Sequence, residues 1–162
     1  MPKIDVVVVG VAGSGTYWMT ELMQAHPEVQ TAFHYSFPSG VYPPACHYPQ
    51  LVEHHPKRDI ALIWMCRDRT ITQLSQLRRG FDAGGSSLFD FDRSMEEIAK
   101  QVQGWNGPYI FVSYEMLVSM GAGYLSKLLA GFGLDPVLYP WSKLVVKDGN
   151  AKYVKELIDA GK

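Results

Sequence analysis

The chain has 162 residues, with 15 basic residues against 16 acidic and a formal net charge of −1. That length points to a single domain spanning 1–162, and the charge balance excludes a nucleic-acid-coating protein, which would be basic. No apolar run approaches the roughly 20 residues of a membrane span, and the N-terminus lacks the apolar stretch and cleavage site of a secretory signal, so the expectation is a cytoplasmic protein with no nucleic-acid or membrane partner.

Ile4 to Val9 is a β-branched run closed by Gly10, which predicts a strand buried on both faces. A glycine-rich turn follows, and the residues from Thr16 to about His26 are helical in pattern: Met19, Leu22, Met23 and His26 share one face. Pro27 stops that helix. Val29 to Phe33 reads as a second short strand. The segment from His34 to Pro56 is rich in Pro, Tyr and His and has no period, the mark of a long functional loop. Asp59 to Cys66 is a continuously apolar strand, Thr70 to Arg79 a helix, and Gly80 to Ser87 a Gly/Ser loop. Asp92 to Trp105 is a polar helix, where Ser94 and Glu97 have capping-box spacing. Tyr109 to Ser113 is another buried strand. Glu115 to Phe132 reads as one helix weakened by Gly121 and Gly123, and a last helix runs from about Asn150 to Ala160. Strands alternating with helices predict an α/β fold of three layers, P-loop NTPase-like, with a central parallel sheet and helices on both faces.

The turn from Gly10 to Thr16 has a physical use. Glycines let backbone N–H groups point inward and let a ligand approach, and the following helix start adds unpaired donors and partial positive charge. Together these make an anion site suited to phosphate. Gly10 and Gly15 have Walker A spacing, but Thr16 stands where that motif has lysine. The competing reading is a tight turn and nothing more. Arg67 ends the Asp59–Cys66 strand, and ligands of open α/β sheets bind beyond strand C-termini, which puts this guanidinium near the same crevice. Ser75 lies two helical turns on. Here the competing reading is a surface ion pair of Arg67 with Asp68 or Asp59.

These residues resemble the sulfotransferase superfamily. Gly13-Ser-Gly-Thr-Tyr-Trp18, with His26-Pro27 after it, is similar to that family's opening motif. The stretch from Ile63 through Arg67 to Ser75 resembles its second motif. Val112-Ser-Tyr114-Glu115-Met-Leu117 resembles its Tyr-Glu-Asp-Leu motif, and Lys147-Asp-Gly149-Asn resembles, more weakly, its late Arg-Lys-Gly loop. The motifs stand in family order along the whole chain. The resemblance implies a P-loop domain that binds 3′-phosphoadenosine 5′-phosphosulfate (PAPS), with no metal. It transfers a sulfuryl group to a hydroxyl or amine of a small-molecule, glycan or peptide acceptor. Ser14, Gly15 and Thr16, with the neighbouring amides of Gly13 and Tyr17, would hold the 5′-phosphosulfate. Trp18 and Tyr114 would flank the adenine, and Arg67, Ser75, Lys147 and Gly149 would hold the 3′-phosphate.

Two features depart from the family pattern. Gly13 stands where the family carries a loop Lys or Arg, leaving Arg69, Lys57, Arg58, Arg78 and Arg79 as substitutes. The segments that bind the acceptor are compressed into His34 to Arg58. A base is needed for the acceptor, and a histidine titrates in the right range. His34 and Ser14 are the candidate catalytic residues, and His47 is the alternative base. Cys46, His47, His54 and His55 fit no standard zinc spacing, and Cys46 and Cys66 read as reduced thiols. Two other functions compete. A kinase or nucleotide hydrolase would need Asp68 or Glu115 for Mg²⁺, and a non-catalytic nucleotide-binding protein would tolerate Gly13.

Overall fold

The computed structural model describes residues 3–37, 60–80 and 91–161. Strand β1 (Ile4–Val11) leads through the glycine turn into α1 (Thr16–Gln24), followed by β2 (Val29–Phe37). Then come β3 (Ile60–Cys66), α2 (Arg69–Arg78), α3 (Phe91–Gln103), β4 (Tyr109–Ser113), α4 (Tyr114–Met120) and α5 (Ala122–Gly131). Single 3₁₀ turns at Pro136–Leu138 and Trp141–Lys143 precede α6 (Ala151–Ala160). The sheet order is β2-β1-β3-β4, and every pairing is parallel.

Two hydrophobic clusters explain why β1 and β3 are apolar throughout. Val6, Val8, Ala61, Ile63 and Met65 face Met19 and Met23 of α1, Leu117 of α4, and Leu125 and Leu129 of α5. Their alternates Val7, Val9, Leu62 and Trp64 face Ile98 of α3 and Trp105. Strands buried on both faces lose the polar alternation of a half-exposed sheet. At about 1.5–3 kcal/mol per fully buried aliphatic side chain, each face depends on its helical cover. The chain turns from β2 on one side of β1 to β3 on the other, so the sheet has its switch point between β1 and β3, where a ligand crevice opens at the strand C-termini.

Four expectations are corrected. Strand β4, read as buried, is an edge strand on which Tyr109 and Phe111 are exposed and only Val112 is buried. Strand β2 runs to Phe37 rather than ending at Phe33, so His34 lies inside it, paired with Val8. As an edge strand it is half exposed and lacks the apolar run that marks β1. The predicted helix from Glu115 to Phe132 is two helices, broken at Gly121, whose φ of 51° and ψ of −124° suit glycine alone. Ser94 does not cap α3. It sits one turn inside a helix that starts at Phe91, buried, with no hydrogen-bond partner for its hydroxyl among the described residues. His26 is a core residue at a helix end, as its spacing implied. Its Nδ1 accepts from the Glu28 amide (3.1 Å) and its Nε2 faces the Asp135 carbonyl (3.0 Å), which fixes the Nε2–H tautomer. Cys46, His47, His54, His55, Lys57 and Arg58 lie outside the described residues.

Candidate functional site

The turn after β1 is built by its glycines. Gly13 and Gly15 have φ of 91° and 95°. A Cβ on Gly10 would collide with the Ser14 hydroxyl, and one on Gly15 would lie 2.8 Å from Cδ2 of Tyr114. Two amides tie the turn down, Ala12 to the Phe37 carbonyl (2.6 Å) and Ser14 to the Val11 carbonyl (2.8 Å). The amides of Gly13 and Gly15 have no acceptor among the described residues. The first-turn amides of α1 at Thr16 and Tyr17 lack intrahelical acceptors by geometry.

Arg67 reaches this turn from the tip of β3. Its Nη1 donates to the Gly13 carbonyl (2.7 Å), and its Nε and Nη2 donate to Asn150 Oδ1 (2.8 and 2.6 Å). Its guanidinium lies 4.3 Å from the centre of the Tyr114 ring. Burial pulls the Arg67 pKa below its ordinary value, an effect opposed by Tyr114, Tyr153 and Glu115 and reinforced by Arg79. Among the described residues Arg67 forms no ion pair. Asp68 instead caps α2, accepting from the Ile71 amide at 2.9 Å.

A cavity of about 610 Å³ opens over the turn, within the range of small-ligand sites. It brings together Gly13, Gly15, Thr16, Tyr17, Trp18, His34, Arg67, Ser75, Tyr114 and Gly149. Of the residues assigned to the cofactor or to catalysis two stay outside it, as do the substitute cations Arg69, paired with Asp92, and Arg78, paired with Glu156. Ser14 is 2% exposed, and its hydroxyl is turned back under the loop against Gly10, because the left-handed conformations on either side aim its side chain inward. Lys147 lines a neighbouring cavity of about 430 Å³, which shares Trp18, Tyr114 and Gly149 with the first. Trp18 and Tyr114 meet edge to face at 5.4 Å between the two spaces.

The sequence reading missed Lys152, Tyr153, Tyr35 and Ser36, and it named Arg79 only as a spare cation; all five line the larger cavity. Lys152 and Tyr153 lie on the first turn of α6, immediately after the Lys147–Asn150 motif, and that adjacency is the one signal the sequence offers for them. Burial of Tyr153 raises its pKa, but Ser75, Lys152 and Arg67 outweigh that and leave it below the usual phenol value. The charges on this lining are Arg67, Arg79 and Lys152, without a carboxylate among the described residues. Tyr17 stands edge-on to His34 at 5.6 Å, and partial desolvation holds the His34 pKa below the ordinary histidine value. Such an arrangement can bind an anion through amides and cations, with the His34 imidazole on the wall formed by β2.

The fold is a parallel α/β sheet with a crevice at its switch point, and comparison with known proteins gives it structural neighbours. No protein-family model matches the chain, and no curated protein matches it. Among solved structures it is similar to a sulfotransferase from Alicyclobacillus acidocaldarius, with a TM-score of 0.60 at 8% identity, covering 99% of this chain and 93% of that one. It is also similar to mouse sulfotransferase SULT7A1 complexed with PAP, with a TM-score of 0.50 at 14% identity, covering 96% of this chain and 64% of that one. At these identities the likeness is one of fold: the chain has the α/β architecture of its sulfotransferase neighbours. No helix among the described residues is long and apolar enough to cross a membrane.

Proposed function

We propose that the chain is a single-domain, cytoplasmic sulfotransferase-like enzyme that binds PAPS and transfers its sulfuryl group to a hydroxyl or amine of a small-molecule, glycan or peptide acceptor. The observation that carries this reading is the larger cavity, where unpaired loop amides and three cations converge with no carboxylate on the described lining. The residues fit such a cofactor. A Cβ at position 15 would push into Tyr114 beside the cradle, so the turn keeps backbone where an anion needs close approach. The amides of Gly13, Gly15, Thr16 and Tyr17 would hold the 5′ group, Trp18 and Tyr114 the adenine, and Arg67 and Ser75, joined by Arg79 and Lys152, the 3′-phosphate. The mouse neighbour's complex with PAP supports this choice of nucleotide.

When bound, the cofactor supplies the electrophilic sulfuryl group. Loop amides and cations would hold the phosphate groups and could stabilise negative charge on a departing phosphate. The imidazole of His34, unprotonated at neutral pH, takes the proton of the acceptor hydroxyl on a ring nitrogen. Gly13 leaves the turn without a cation of its own, and Arg67 Nη1 donates to the Gly13 carbonyl at 2.7 Å, which fixes the 3′-phosphate cation to the edge of the turn. The kinase reading is weakened because Asp68 is committed to its helix cap and neither Asp68 nor Glu115 lines the larger cavity. Calorimetric titration with adenosine 3′,5′-bisphosphate and with ATP plus Mg²⁺ tests the proposal. Preference for the bisphosphate is expected, and preference for ATP and Mg²⁺ overturns it.

A further inference from the structure

A guanidinium meant to receive an anion is better held by neutral partners than by a carboxylate, which would cancel its charge and occupy its donors. Arg67 is held in that way, by the amide oxygen of Asn150 and the carbonyl of Gly13. The carboxylate in this network reaches it only through the amide. Asn150 Nδ2 donates to Glu115 Oε1 at 3.1 Å, the same oxygen accepts from the Asp68 amide at 3.1 Å, and Oε2 accepts from the Ser113 hydroxyl at 3.2 Å. The orientation of the amide is thereby fixed. A flipped Asn150 would aim NH₂ at guanidinium donors and its oxygen at a carboxylate.

The backbone around Asn150 is set independently of that side chain. Asp148 Oδ1 accepts from the amides of Asn150 (2.8 Å) and Ala151 (3.2 Å), and the Gly149 amide donates to the Tyr114 hydroxyl (3.0 Å). The Asn150 side chain is thus left with one task, bridging Glu115 and Arg67.

We propose that Asn150, oriented by Glu115, is a positioning residue that fixes the Arg67 guanidinium against the glycine turn while leaving its charge available to a second phosphate on the nucleotide. This rests on the nucleotide-binding reading above. The test is a displacement titration of adenosine 3′,5′-bisphosphate and of adenosine monophosphate on the full chain. Asn150→Asp keeps the shape but sets a carboxylate on Arg67 and beside Glu115. Its affinity for the bisphosphate is expected to fall at least about tenfold, with the monophosphate affinity held within about twofold. Asn150→Ala, which lets Arg67 close on Glu115, gives the same selective loss. Glu115→Ala reproduces it, and Glu115→Gln, which keeps an acceptor at Oε1, recovers most of it. Equal losses for both nucleotides alongside a lowered Tm, or no loss in Asn150→Asp, overturn the proposal and leave Asn150 a purely structural residue. A wild-type protein that binds the bisphosphate no better than the monophosphate overturns the nucleotide reading itself, and this inference with it.

Discussion

A methyl group added at position 15 tests the cradle where its backbone meets the Tyr114 ring. In Gly15→Ala the backbone would have to keep φ near 95°, and the new Cβ would sit 2.8 Å from Cδ2 and 3.1 Å from Cε2 of Tyr114. The ring has little room to yield. It lies under the Arg67 guanidinium at 4.3 Å, meets Trp18 at 5.4 Å, and receives the Gly149 amide on its hydroxyl. The left-handed conformation costs about 1–2 kcal/mol for an L-residue, and the overpacking about 1–3 kcal/mol. Together that is about 2–5 kcal/mol against a typical stability of about 5–15 kcal/mol, so the protein still folds. At about 2–4 °C per kcal/mol for a chain of this size, Tm drops by about 4–20 °C. Displacing Tyr114 also disturbs Arg67 and Gly149, so affinity for adenosine 3′,5′-bisphosphate falls with it. Scanning fluorimetry and calorimetry read both effects. Gly123→Ala in α5 is the control: its Cβ meets nothing within 4 Å, and it should raise stability by about 0.5–1 kcal/mol. An unchanged Tm and an unchanged Kd in Gly15→Ala would refute the idea that this turn is a fitted cradle.

Three further outcomes are expected. Arg67→Ala weakens binding of adenosine 3′,5′-bisphosphate far more than binding of adenosine monophosphate, by at least about tenfold for a lost charge-assisted pair, whereas equal losses on titration would remove Arg67 from the second phosphate. Because the His34 pKa is lowered, its NMR titration has a midpoint below about 6.5. The folded state favours the neutral ring, so the stability His34 contributes is present above the unfolded pKa and is lost as pH falls toward the folded one. The rate of sulfuryl transfer then falls as pH drops through the His34 midpoint, and a midpoint above about 6.5 would contradict the assignment. Gly13→Lys does not restore a loop cation, because φ is 91° and the new Cβ would lie 3.3 Å from the Thr72 carbonyl and from Ser75 Cβ. Stability drops by about 1–2 kcal/mol with no gain in turnover, and a faster enzyme would show that the turn can be rebuilt.

Legibility in the sequence followed residue type more than burial. Strands β1 and β3 stood out as apolar runs buried on both faces, β4 stood out by its β-branched and aromatic residues although Tyr109 and Phe111 are exposed at the sheet's other edge, and the glycine turn was visible because its chemistry lies in the backbone. The second half of β2 was not, because an edge strand with one free side carries no such run and His34, Tyr35 and Ser36 look like loop. The break at Gly121 depends on a φ/ψ pair that composition does not encode. Ser14 shows the same limit at the site: its position in the motif was readable, but the direction of its hydroxyl follows from the dihedrals of Gly13 and Gly15. Lys152 and Tyr153 escaped notice because they reach the cavity only through the docking of α6 on α2. That docking is made by the Arg78–Glu156 ion pair and by Arg78 over the Tyr153 ring, contacts between segments more than 70 residues apart.

The cations of the cavity also repel one another: Arg79 is one of the groups that lower the Arg67 pKa. A bound dianion relieves that repulsion, so binding and stability are linked. At a ligand concentration of about 100 Kd the linkage is worth about 2.7 kcal/mol, a rise in Tm of about 5–10 °C. Salt separates the contributions. Arg79 and Lys152 are exposed, and the screening length shrinks from about 10 Å at 0.1 M to about 3 Å at 1 M, so their share of the attraction fades first. Arg67, partly buried and held through Asn150, is screened less. Bisphosphate affinity therefore falls with salt in the wild type, and Lys152→Ala flattens that slope while costing little at high salt. Arg67→Ala lowers affinity at every salt concentration. A Lys152→Ala variant with the wild-type slope would detach α6 from the anion site, leaving the glycine turn and Arg67 as its only source of positive potential among the residues tested.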